Sequence, residues 1–120
     1  MLKDDYLLKM IEQISSMLAS IMFNKDIKEI ETEIKEDEVH NDELNLIVKR
    51  VQCNQYNQLI NEFMLDECKL KLCLIFFNEL NNYSDKELIS IGLTRNKLKD
   101  DLIAILEKYG YSHIIDLFDF

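Results

Sequence analysis

Any catalysis by this chain would have to be built from few parts. Its 120 residues include two histidines, His40 and His113, and three cysteines, Cys53, Cys68 and Cys73. A histidine acts as a general base when a carboxylate orients it and a nucleophile lies within reach. His113 stands beside Ile114 and Ile115 near Asp116, and neither histidine is accompanied by a serine or cysteine with a matching carboxylate. Both are read as capping or surface residues. Glu36, Asp37, Glu38, Asp42 and Glu43 around His40 are metal ligands by type. They lack the Glu-x-x-His spacing of a metal-binding bundle and the central glycine of a calcium loop. The odd cysteine count without paired two-residue spacing gives neither a zinc site nor a redox motif, so the thiols are read as reduced, small hydrophobes. Two glycines in the whole chain rule out a Walker loop and a dinucleotide fingerprint. The expectation is a protein without catalytic machinery, cofactor or metal.

Two charge patterns could recognise a partner. The formal charge is −9; sixteen acids and nine bases precede Ser84, leaving that part at −7. Glu33, Glu36, Asp37 and Glu38 form its densest acidic arc and are predicted to bind a protein partner with a basic surface. The alternative is a small DNA-binding regulator. Asp85 to Tyr109 has the outline of a helix-turn-helix, with Thr94, Arg95, Asn96, Lys97 and Lys99 at the exposed start of its second helix, where such readers contact bases. Yet five acids and five bases leave this unit neutral, without the positive stripe that neutralises phosphates. The net charge also repels nucleic acid and anionic membranes at long range. The favoured function is a non-catalytic protein–protein interaction module, such as an adaptor or an immunity or inhibitor-type protein.

These residues must be positioned by helices. The chain has no proline, and its two glycines, Gly92 and Gly110, fall where apolar runs of helical period end, the place for left-handed caps. With 48% hydrophobic and 31% charged residues, the composition is that of a folded domain. The prediction is a single all-α domain over residues 1–120, an irregular bundle of about five to seven helices. Asp4 or Asp5 would cap a first helix to about Asn24, with an apolar stripe of Leu7, Met10, Ile11, Ile14, Met17, Leu18 and Ile21. Leu8, Met22 and Phe23 lie off the stripe and need a second contact, within the chain or across a homodimer seam. Ile27, Ile30 and Ile34 anchor a surface helix whose Glu29, Glu31, Glu33 and Glu36 are expected to be exposed, with Lys25–Glu29 and Glu31–Lys35 as four-residue ion pairs. Glu36 to Glu43 reads as a flexible connection.

Residues 42–66 read as one helix or as two bent at Asn54. Residues 70–77 alternate as a strand would but also fit a helix, the favoured reading because no second strand exists to pair with them. The clearest local signals lie at 84–110, a helical corner. Ser84 and Glu87 form a capping box, Gly92 closes that helix, and Thr94 caps the next. Leu93 and Leu98 are placed as a hydrophobic staple. Leu98, Leu102, Ile105, Leu106 and Tyr109 make an inner face, and Ser112 would cap a last turn bearing Ile114, Ile115, Leu117 and Phe118.

The opening Met-Leu-Lys-Asp-Asp puts acids where a signal peptide needs a positive region and then an apolar run. The apolar window Leu70 to Phe77, interrupted by Lys71, is less than half the roughly 20 residues of a membrane span. A cytoplasmic protein is expected. Asp5-Tyr6-Leu7-Leu8-Lys9-Met10-Ile11-Glu12-Gln13, followed by an apolar stretch ending Ile21-Met22-Phe23-Asn24-Lys25-Asp26, resembles the amino-terminal signature of a family of small uncharacterised helical proteins from low-GC Gram-positive bacteria. Leu88-Ile-Ser-Ile-Gly-Leu-Thr-Arg95 is similar to the Ile-Gly-Leu-Ser-Arg core of very short bacterial proteins. The resemblance implies a helical bacterial protein and supplies no activity.

Overall fold

A computed structural model describes residues 2–116. Its elements are α1 (Leu2–Phe23), α2 (Ile27–Glu36), α3 (Glu38–Gln52), α4 (Tyr56–Leu65), a 3-10 turn (Glu67–Lys69), α5 (Leu70–Asn81), α6 (Asp85–Ser90), α7 (Arg95–Lys108) and the single turn α8 (Ser112–Ile115). The class is all-α, with no strand among the described residues. No described helix is long and apolar enough to cross a membrane.

The ambiguous apolar run is α5, the centre of the bundle. Leu70, Leu72, Cys73, Leu74, Ile75, Phe76, Phe77 and Leu80 are all buried, because α1, α2, α3 and α7 pack around this helix. Only a narrow edge at Lys71, Asn78 and Glu79 is half-exposed, too little polar face to reveal the helical period, which is why its sequence could be taken for a strand. Phe76 gathers Tyr56, Phe63 and Phe77, with ring centroids 6.2, 5.4 and 5.5 Å away.

Along α1, Leu7, Met10, Ile11, Ile14 and Leu18 are buried as the stripe predicts. Met17 is half-buried and Ile21 is 50% exposed, a correction to the stripe: a seven-residue repeat drifts about 20° per heptad on a straight helix, which carries its last members toward solvent. The helix begins at Leu2, so Asp4 and Asp5 lie within its first turns and do not cap it. Acids are favourable there too, since the N-terminal dipole attracts them.

Asp26 caps α2 by accepting from the Lys28 backbone N–H at 2.8 Å, and Ile30 and Ile34 are its buried edge. Lys25 precedes that cap, outside helical geometry, and pairs with Glu33 rather than Glu29. Lys35 does pair with Glu31 at 3.5 Å, and with Glu79 at 3.0 Å. Glu31 is half-buried, not exposed, and accepts from Asn78 Nδ2 at 2.9 Å. The expected flexible connection at 36–43 is instead a one-residue joint. Asp37 ends α2 and caps α3 by accepting from the Val39 and His40 N–H groups, so the acidic run is helical from Glu38 onward.

Among the described residues, four at joints adopt positive φ: Asn24 (53°), Asn54 (64°), Gly92 (77°) and Gly110 (82°). Asn54 separates α3 from α4, so residues 42–66 form two helices. At Gly92 the Leu93 N–H reaches Leu88 O at 2.8 Å and the Gly92 N–H reaches Ile89 O at 3.0 Å, the Schellman closure. Both halves of the Ser84/Glu87 capping box are present, and Thr94 Oγ1 accepts from the Lys97 N–H at 3.2 Å. Leu88, Leu93 and Leu98 are buried together in the core. Leu102, Ile105 and Leu106 are also buried, with Tyr109 packed half-buried against the core. Ser112 is the first residue of α8 and not a cap before it. The side chains of Ile114 and Ile115, and Leu117 and Phe118 entirely, lie outside the described residues.

Candidate functional site

The end of α1, the C-terminal end of α2, the start of α3 and the 3-10 turn leading into α5 surround a groove of about 780 Å³. Each wall follows from local chemistry. The one-residue joint at Asp37 folds α3 back beside α2. Asp66 accepts from the Cys68 N–H at 3.0 Å and so turns the chain tightly between α4 and α5. Met22, Phe23, Ile34 and Leu72 supply apolar walls, while Glu33, Asp37, Glu43, Asp66 and Glu67 face two lysines, Lys69 and Lys71. That balance is −3 with His40, also in the wall, neutral.

The two predicted acids in this groove already have partners. Glu33 is paired with Lys25, and Lys71 Nζ stands 3.6 Å from its other oxygen. The hydrogen bond from Lys25 is the main reason its carboxyl stays below the ordinary range. Asp37 lies 2.8 Å from His40 Nδ1, which holds its carboxyl low as well. Lys71 also lies 5.1 Å from the centre of the Phe23 ring, a cation over an aromatic face. Glu36 and Glu38 are exposed beside Asp37 but do not line the groove. Sequence reasoning missed Glu43, Asp66, Glu67 and the apolar floor, since no local pattern says that residues 22–23, 33–43 and 66–72 meet. Glu43 and Glu67 enter no ion pair among the described residues, which leaves them available to an incoming cation.

The basic cluster at the start of α7 differs from its sequence reading. Arg95 is buried, at 5% exposure, rather than presented to solvent. It lies on the same helical face as Leu98 and Leu102 and reaches the far end of α5. Nη1 donates to Asn81 O at 2.6 Å and Asn81 Oδ1 at 2.9 Å; Nη2 donates to Tyr83 O at 2.6 Å and Asp85 Oδ1 at 3.1 Å. The guanidinium therefore closes the C-terminus of α5, where unpaired carbonyls and the helix dipole favour a cation. Asn81 Nδ2 in turn donates to Leu8 O at 3.0 Å, so α1, α5 and α7 share one polar knot. Lys97 pairs with Asp101 at 3.2 Å, and Lys99 with Asp100 at 3.1 Å. Asn96 is exposed, 3.4 Å from Asp100 Oδ2.

Cys53 and Cys68 are exposed, contrary to their reading as packed hydrophobes, while Cys73 is buried and burial pushes its thiol up. His113 is exposed. No group of three or more His, Cys, Asp or Glu side chains is arranged to hold a metal among the described residues. One family model, described as a family of unknown function, matches residues 1–110. No curated protein and no solved structure matches the chain.

Proposed function

The chain belongs to that family, DUF6483, and from this premise we propose that it is a non-catalytic protein–protein interaction module, an adaptor or an immunity or inhibitor-type protein. Its groove receives a basic, amphipathic segment of a partner. The observation that supports this reading is the combination in one concavity of Met22, Phe23, Ile34 and Leu72 with Glu43 and Glu67, acids that enter no ion pair among the described residues. An apolar side chain entering the groove would leave water at a gain of roughly 25 cal/mol per Å². Lysines or arginines beside it would meet the rim acids, and the net charge of −9 would steer their approach. Glu36 and Glu38 add to that field without touching the groove. The setting is a bacterial cytoplasm: the resemblance of the α1 sequence implies a bacterial protein, and no described helix is long and apolar enough to cross a membrane. The DNA-binding alternative loses Arg95 to the core and has Lys97 and Lys99 paired with acids.

The test uses a labelled amphipathic lysine/leucine peptide, with a glutamate/leucine peptide as control, followed by fluorescence anisotropy. Glu43→Lys with Glu67→Lys should weaken binding of the basic peptide at least about tenfold, about 1.4 kcal/mol. Reversing two exposed acids of α1 that do not line the groove, Asp5→Lys with Glu12→Lys, removes the same charge and should cost far less. The association rate should fall with salt, because screening sets in within about 8 Å at physiological ionic strength. Equal losses in the two pairs would reduce the groove to a part of a general acidic surface and sink the proposal.

A further inference from the structure

The exposed face of α3 is self-complementary, and we infer that it pairs antiparallel with α3 of a second copy about a two-fold axis at Leu46. Val39 is 72% exposed and Leu46 60% exposed, and Cys53, the residue ending the helix, is exposed too. Spaced seven apart, these three form a line that drifts only about 20° per step. They point away from Leu44, Ile47 and Val51, the buried edge of the same helix.

The flanking charges are arranged around Leu46 with opposite signs at its two ends. Asp42 and Glu43 stand four and three residues before it, Lys49 and Arg50 three and four after it. When two copies pair antiparallel about a two-fold at Leu46, each flank opposes itself reversed. Asp42 then faces Lys49 of the second copy, Glu43 faces its Arg50, Val39 faces its Cys53, and the two Leu46 side chains meet on the axis. A closed two-fold contact requires this self-complementarity. A parallel pairing would set Asp42 against Glu43 and Lys49 against Arg50, like charges on both flanks. Asp42 and Lys49 are exposed and have no ion pair within the chain among the described residues. Arg50 is already held by Glu62, at 2.6 and 3.0 Å, so the Asp42–Lys49 flank is the one left to select a partner.

The contact is small. A helix of 15 residues at 1.5 Å rise presents a strip about 22 Å long and about 10 Å wide, well under the roughly 800 Å² per partner of a standard stable interface. The dimer is therefore a weak one, formed at high local concentration.

Sedimentation equilibrium of the full chain up to about 1 mM, a concentration at which even a dissociation constant near 1 mM shows, reads it directly. Leu46→Glu should abolish self-association without changing the melting temperature, whereas Leu65→Glu, at an 84% exposed position on α4, should leave it intact. Asp42→Lys and Lys49→Asp each place like charges opposite one another twice and should weaken the dimer at least about tenfold, or 1.4 kcal/mol; the two together should restore it. In a Val39→Cys, Cys68→Ser variant, a short bismaleimide reagent should link position 39 of one copy to Cys53 of the other. A chain that stays monomeric at about 1 mM, a dimer that survives Leu46→Glu, a double charge swap that does not restore pairing, or like-to-like cross-links would overturn the inference. Glu43 borders both surfaces, but of the positions substituted here only Cys68 lines the groove proposed above, so Leu46→Glu separates self-association from peptide binding.

Discussion

Arg95→Met should destabilise the fold by about 2–4 kcal/mol, although its position in the sequence looks like a solvent-facing helix start. The guanidinium satisfies Asn81 O, Asn81 Oδ1 and Tyr83 O. Methionine fills similar space and donates nothing. The two Asn81 acceptors belong to a residue only 2% exposed, and an unsatisfied buried group costs about 1–3 kcal/mol. Tyr83 is partly exposed, and the Asp85 side chain is 43% exposed, so water can replace the arginine at these two. Set against the loss is Arg95 Nε, buried without a partner, whose desolvation the substitution relieves. With a urea slope of about 1–3 kcal/mol per M, the unfolding midpoint should fall by about 1–2 M at constant slope. Asn81→Leu should destabilise as well, and the double variant should lose less than the sum, because neighbours in one network couple. A midpoint within about 0.3 M of the parent, or strict additivity of the two changes, would mean that Arg95 does not hold the end of α5.

Ile14 is fully buried, so Ile14→Asp should abolish cooperative melting followed by circular dichroism, an unpaired core carboxylate costing several kcal/mol. Gly92→Val meets no atom within 4 Å, so its cost is the left-handed backbone alone, about 1–2 kcal/mol; an unchanged melting temperature would contradict it. A thiol reagent should titrate Cys53 and Cys68 in the native protein and Cys73 only after denaturant, and three rapid thiols would mean that α5 is not sealed. Glu33, Asp37, Glu62 and Glu87 are all held below their ordinary values of 4.5 or 3.8 by hydrogen bonds to Lys25, His40, Arg50 and the Ser84 backbone respectively. Such groups contribute stability that is complete above those ordinary values and is lost as pH falls through the lower, folded ones. The urea midpoint should thus decline on acidification below about pH 4.5, and a flat or rising profile would show that the pairs are absent.

What the sequence disclosed follows the range of the forces involved. At 84–110 the capping box, the Gly92 closure and the Thr94 cap each involve partners three to five residues apart, so spacing alone locates them. Asn24 and Asn54 do the same work as the glycines, yet asparagine is common enough in polar stretches that only a bend at Asn54 was foreseeable. Arg95 shows the opposite case. Its identity signals solvent, but its register with Leu98 and Leu102 places it on the buried face, and the carbonyls that make burial tolerable belong to residues 81 and 83, on another element. The groove was half legible for the same reason. Glu33 and Asp37 stand out as charge, whereas their meeting with Phe23, Glu67 and Leu72 depends on how three separate joints fold. The family match, over residues 1–110, extends well beyond the stretch of α1 whose sequence carried the resemblance.

The four left-handed joints also govern how fast the molecule can form. Asn24, Asn54, Gly92 and Gly110 reverse the chain by rotation about φ and ψ, and the chain contains no proline. Rotation of this kind is complete on the timescale of helix formation, below a microsecond to microseconds, whereas a prolyl bond would impose a wait of tens of seconds. Every turn in the described chain can therefore be tried and retried while the helices are still fluctuating. A chain unfolded for an hour should refold with the same kinetics as one unfolded for a second, having no slow memory of its denatured state.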